Sequence, residues 1–119
     1  MSGKKKILLV DDDPVFCEVT QEILGDIGYD AVAAADEPKA CAVFFDNPHQ
    51  FDLILLDHVF TEGELAAEFL DVRPDIPIAL YTGAIVRLEE VRSKGICAVI
   101  NKPLTKDELS AAIGRVLKQ

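Results

Sequence analysis

A chain of 119 residues has the commonest size of one domain and can bury a core without disulfide or metal staples. Half of it is apolar and 28% charged, an ordinary globular balance, and its formal charge of −9 argues against direct contact with nucleic acid, which requires a basic face. Its longest apolar runs, Ile7–Val10, Leu53–Leu56 and Ile78–Tyr81, fall far short of the roughly 20 residues of a membrane span, so no membrane partner is expected.

The chain opens with Lys4–Lys6, four apolar residues and then three acids, a pattern unlike a secretory leader. Cys17, Cys41 and Cys97 are odd in number, widely spaced and set in apolar surroundings, so they read as reduced core thiols of a cytoplasmic protein. No linker, repeat or low-complexity segment divides the sequence, and one domain is expected over 1–119.

Short apolar runs alternate with amphipathic segments, the mark of repeated βα units. The first strand is Ile7–Val10. A helix follows it, with Asp13 placed to cap, Pro14 at its first position, and a stripe of Phe16, Val19, Ile23 and Ile27. Gly25 or Gly28 can end it. The second strand is placed at Ala31–Ala35 and the second helix at Glu37–Phe45, stopping before Asn47-Pro48. Leu53–Leu56 is the third strand, Glu62–Asp71 the third helix, and Ile78–Tyr81 the fourth strand. A fourth helix is predicted over Val86–Lys94 and a fifth strand over Ala98–Ile100. The last helix opens on Thr105-Lys-Asp-Glu108, a capping box, with the stripe Leu109, Ala112, Ile113, Val116 and Leu117.

Unbroken apolar strands want burial on both faces, which a parallel sheet between helices provides. Five units are too few for an eight-stranded barrel, which leaves an open, doubly wound α/β sheet. Its carboxyl edge gathers the polar residues: Asp11, Asp12 and Asp57 after strands one and three, Thr82-Gly83 after strand four, Asn101-Lys102-Pro103 after strand five. With strand order 2-1-3-4-5 the three acids converge. Close carboxylates need a counter-charge, and Mg²⁺ suits a few carboxylates plus water and phosphate oxygens. Lys102 offers a point charge, Thr82 a hydroxyl, and the amides of Val59 and Gly83 further donors to a transferring phosphoryl group.

In the segments Ile-Leu-Leu-Val-Asp11-Asp12-Asp13-Pro, Phe-Asp-Leu-Ile-Leu-Leu-Asp57, Pro-Ile-Ala-Leu-Tyr-Thr82-Gly83 and Asn-Lys102-Pro103-Leu, the sequence resembles the receiver domain of two-component response regulators, of flavodoxin-like fold, over Ile7 to Leu117. The resemblance implies that Asp57 is the phosphoacceptor and Asp12 a direct Mg²⁺ ligand, assisted by Asp11 through water. It makes the Val59 carbonyl a further ligand, Thr82 the switch hydroxyl and Lys102 the lysine that pairs with acceptor or phosphate. It also implies a cis Lys102-Pro103 bond, and as phosphoryl donor a histidine kinase or phosphotransfer protein. A downstream protein or domain would dock on the surface of helix four, strand five and helix five, and the domain would be a monomer or weak dimer without turnover on outside substrates.

Several residues depart from the family pattern. A Met-Pro pair usually follows the acceptor; here the segment is His58-Val-Phe60-Thr61-Glu62-Gly63, its glycine about two residues early. The stretch between Thr82 and Lys102 is slightly compressed. Val99 stands where relatives carry a switch aromatic, and strand alternation does not make Tyr81 its substitute. Val59 and Ala84 take the places flanking the phosphoryl site, and neither can orient a water. His58 reads as a solvent-facing side chain and His49 as a loop residue. Two other functions fit parts of the pattern. A phosphatase of the haloacid dehalogenase type would use Asp11-Asp12-Asp13, but no residues remain for a cap over the site. A phosphorylation-independent interaction module would explain the rebuilt segment after Asp57.

Overall fold

The structure, a computed structural model, describes residues 4–60, 64–102 and 105–118. Its strands are β1 (Lys6–Val10), β2 (Asp30–Ala34), β3 (Leu53–Leu56), β4 (Ile78–Thr82) and β5 (Ala98–Asn101), and its helices α1 (Pro14–Asp26), α2 (Glu37–Asp46), α3 (Leu65–Val72), α4 (Leu88–Ser93) and α5 (Lys106–Leu117). All pairings are parallel, in the order β2-β1-β3-β4-β5. The doubly wound sheet is therefore as the sequence predicts.

Alternation along the strands decides which layer each residue enters. Ile7, Leu9, Leu53, Leu55, Ala79, Tyr81 and Ile100 pack with Cys17 and Leu24 of α1 and with Leu109, Ile113 and Val116 of α5. Leu8, Val10, Ile54, Leu56, Ile78 and Leu80 pack with Phe44 of α2, Leu65 and Phe69 of α3, and Val91 of α4. The Phe44 ring lies 4.5 Å from that of Phe69 and 6.1 Å from that of Phe51, an aromatic wedge beneath β1 and β3.

The caps follow the sequence. Asp13 Oδ1 accepts from the amides of Val15 (3.0 Å) and Phe16 (3.2 Å). In α5 the Thr105 hydroxyl oxygen accepts from the Glu108 amide (3.1 Å), and Glu108 Oε1 accepts from the Thr105 amide (3.0 Å), the reciprocal box predicted. Gly28, at φ +102°, turns the chain out of α1, a conformation that Gly25 does not need.

Other details differ. Val19 is half exposed, and the inner face of α1 is Cys17, Thr20 and Leu24 flanked by Phe16, Ile23 and Ile27. A buried threonine hides that face from a hydrophobicity pattern, and Val19 lies about a third of a turn away from it. Strand β2 is displaced by one residue, to Asp30–Ala34. Helix α4 begins at Leu88 and not Val86: Arg87 is extended (φ −85°, ψ 120°), and Ile85, which would have to cap an earlier start, has no side-chain acceptor. The helix ends at Ser93, one residue short of the predicted Lys94, and the chain turns away at Gly95, where φ is +86° and an added Cβ would run into Leu70. The predicted start of α3 at Glu62 lies outside the described residues. All three cysteines are free; Cys17 is buried and its thiol pKa pushed up by burial, whereas Cys41 and Cys97 are partly buried and pack against the edges of the two core layers. Among the described residues no helix is long and apolar enough to cross a membrane.

Candidate functional site

The parallel ladder continues past the ends of the strands and carries the polar residues with it. The Asp11 amide donates to Ala34 O (3.1 Å), the Asp57 amide to Val10 O (2.9 Å) and the Lys102 amide to Thr82 O (2.7 Å). Backbone bonds thus fix the roots of the side chains that the sequence places at this edge.

One carboxylate oxygen each from Asp11, Asp12 and Asp57 lies within 4.8 Å of the others. Asp11 and Asp57 are buried, at 2% and 6% exposure, while Asp12 faces the opening. Asp11 Oδ1 accepts from the Asp13 amide (3.0 Å), which orients it. Lys102 Nζ donates to Asp11 Oδ2 (2.7 Å) and Asp57 Oδ1 (3.2 Å), and stands 4.0 Å from the centre of the Phe16 ring. Burial pulls the Lys102 pKa down, but its bonds to Asp11 and Asp57 outweigh that and hold it above the ordinary lysine value. Three carboxylates against one ammonium leave the cluster short of positive charge. Three converging oxygen donors, open on the Asp12 side, are the donor set that a hard divalent cation takes.

Thr82 is fully buried at the end of β4. Its Oγ accepts from the Ala84 amide (3.0 Å) and lies 2.9 Å from His58 Nδ1. The same ring nitrogen stands 3.5 Å from Asp57 Oδ1. His58, expected to face solvent, is exposed over part of its ring, yet its Nδ1 stands between Thr82 Oγ and Asp57 Oδ1. The short 3-10 turn His58–Phe60 begins directly after Asp57, and β3 lies beside β4, so a side chain leaving β3 at this point reaches the end of β4. That adjacency was the signal in the sequence; a separation of 24 positions along the chain concealed it.

The remaining predicted positions are less engaged. Val59 is exposed (43%) on the same turn, and Ala84 is partly buried. A Cβ added at Gly83 would meet only Lys102 Cβ at 3.8 Å, so space does not demand glycine there. Val99 packs with the α2–α4 layer, whereas Tyr81 is buried in the α1–α5 layer with its ring 5.7 Å from Phe16. Tyr81 therefore does not take the place of an aromatic at Val99. Burial raises the Tyr81 pKa. Pro103, and with it the predicted cis bond, lies outside the described residues.

Comparison with known proteins identifies this arrangement. Residues 7–114 match the response regulator receiver domain family. The chain is 31% identical over 118 residues to the transcriptional regulatory protein GlrR of Escherichia coli, covering 95% of this chain and 26% of that protein. It is 30% identical over 126 residues to the transcriptional regulatory protein AruR of Pseudomonas aeruginosa, covering 100% of this chain and 52% of that protein. The chain thus spans from a quarter to about half of these relatives. Among solved structures, the chemotaxis protein CheY4 of Vibrio cholerae superposes with a TM-score of 0.85 at 26% identity, over 96% of this chain and 99% of that one. A CheY-like receiver domain protein of Methanospirillum hungatei gives 0.82 at 30% identity, over 98% and 95%. The chain belongs to the receiver domains of two-component response regulators.

Proposed function

We propose that this receiver domain accepts a phosphoryl group on Asp57 from a phosphohistidine of a histidine kinase or phosphotransfer protein, in a Mg²⁺-dependent reaction. The observation that carries the reading is the place of Lys102, whose ammonium reaches both buried acids at one corner of the sheet. An Asp57 oxygen attacks phosphorus, the phosphorus–nitrogen bond to the donor imidazole breaks, and the imidazole leaves with the bond's electron pair. Lys102 offsets charge on acceptor and phosphoryl oxygens, and the Thr82 hydroxyl, with the Val59 and Gly83 amides, donates to those oxygens. Asp12, Asp57 and the Val59 carbonyl would hold Mg²⁺, with Asp11 assisting through water. The ion supplies charge neutralisation between the acids and the phosphoryl group.

Output to a downstream protein or domain is assigned to the surface of α4, β5 and α5. Ile85 and Leu88, exposed apolar residues beside the partly buried Val99, support that assignment. The test of the whole reading is intact mass after incubation with acetyl phosphate, with and without Mg²⁺. A single phosphoryl adduct is expected that requires Mg²⁺ and is absent from Asp57→Asn. An unlabelled wild-type chain would instead mark a phosphorylation-independent interaction module.

A further inference from the structure

We infer that His58 is a positioning residue for this reaction: its Nδ1–H donates to Thr82 Oγ and turns the threonine hydroxyl proton toward the incoming phosphoryl oxygen. The inference rests on the phosphoacceptor reading of Asp57 and adds to it the group that sets the direction of the switch hydroxyl.

Hydrogen capacity makes the case. A threonine hydroxyl has two lone pairs and one proton. The Ala84 amide, 3.0 Å away, fills one lone pair. His58 Nδ1, at 2.9 Å, either fills the second by donating or takes the proton by accepting. Asp57 decides between them. Its Oδ1 is 3.5 Å from the same Nδ1, and a carboxylate repels a nitrogen lone pair but attracts an N–H. The Nδ1–H tautomer is therefore favoured, and both Thr82 lone pairs are filled. What remains to a hydroxyl with no solvent exposure is its proton. A phosphoryl group on Asp57 places acceptor oxygens beside it. Orienting that donor beforehand removes a rotor that would otherwise have to be ordered during transfer.

The experiment uses two probes on the full chain in Mg²⁺: beryllofluoride, a phosphoryl mimic read by the rise in melting temperature, and acetyl phosphate, read by the rate of labelling. His58→Ala is expected to bind beryllofluoride about tenfold more weakly and to label about tenfold more slowly. His58→Asn, whose amide nitrogen falls near the place of Nδ1, is expected to restore both to within about threefold of wild type, because one donor at that place suffices. In a Thr82→Val background, His58→Ala should cost nothing further, since no hydroxyl remains to orient.

Equal behaviour of wild type and His58→Ala would overturn the inference while leaving Asp57 as acceptor. So would tighter beryllofluoride binding by His58→Ala, which would mean that the ring takes the threonine proton. An undiminished effect in the Thr82→Val background would also overturn it. A wild-type chain that fails to label at all would remove the reading beneath the inference, and the inference with it.

Discussion

The corner above β1 and β3 differs sharply from the flank formed by α4 and β5. On the first, every apolar residue of both strands is buried, the backbone continues its bonds through Asp11 and Asp57, and one lysine ties their side chains together. On the second, α4 has six residues, a single buried side chain in Val91 and no side-chain cap, while Ile85 and Leu88 face outward. Elements with few buried contacts open at low cost, whereas central strands open only with the whole domain. The chemistry proposed for Asp57, which needs fixed distances, therefore falls where the backbone is over-determined. The surface assigned to output lies where rearrangement costs least. Thr82 and Lys102, at the ends of β4 and β5, belong to both.

Core truncation on each side should expose this contrast most strongly. Phe44→Ala removes the ring wedged against Phe51 and Phe69 and is expected to cost about 3–5 kcal/mol. Val91→Ala removes the one buried side chain of α4 and should cost about 1.5 kcal/mol. Urea denaturation of both variants measures the difference. Equal losses would mean that α4 is held as firmly as α2 and that the flank is not the cheaper one to move.

Most of the first region was legible in the sequence, because strands buried on both faces are continuous aliphatic runs and a parallel sheet sends their carboxyl ends to one edge. Asp11, Asp57, Thr82 and Lys102 could be placed together on that ground. Features that depend on single side chains could not. Hydrophobicity alone points Val19 inward, whereas Thr20, fully buried, occupies the inner face of α1. Apolar Val86 extends the hydrophobic pattern of α4 past its true start at Leu88, where no side chain caps the helix. The contact of His58 with Thr82 depends on the sideways reach of a ring between neighbouring strands, which spacing along the chain does not encode.

The acid corner can be sharpened from its own loop. Val59 is exposed two residues past Asp57, Ala84 lies two residues past Thr82 and donates its amide to Thr82 Oγ, and neither side chain can hydrogen-bond a water. A phosphoryl group on Asp57 is therefore expected to hydrolyse slowly for this family. Val59→Asn supplies a polar group that can orient water and should speed loss of the label several-fold, with core stability unchanged because the position is exposed. Decay of the intact-mass adduct after removal of acetyl phosphate measures it. An unchanged lifetime would mean that water is ordered by backbone groups and not by the side chain at this position.

The smallest effect lies next to the second region, at the start of α5. Glu108 accepts from the Thr105 amide and its pKa is lowered by that backbone bond, with its hydrogen bond to the Thr105 side chain adding to the shift. A carboxyl whose folded pKa lies below its unfolded value, here near 4.5, contributes stability in full above that value and loses it as pH falls through the folded one. Glu108→Gln keeps an accepting oxygen and removes the charge. Its melting temperature should sit slightly below wild type at pH 7, and the gap should close below pH 4.5 as the wild-type carboxyl protonates. Because the side chain is exposed, solvent screens the charge and the gap stays small. A gap that persists with full size at acid pH would assign the cap's contribution to hydrogen-bond geometry alone. The flank would then be anchored at α5 independently of pH, leaving α4 as its only easily moved element.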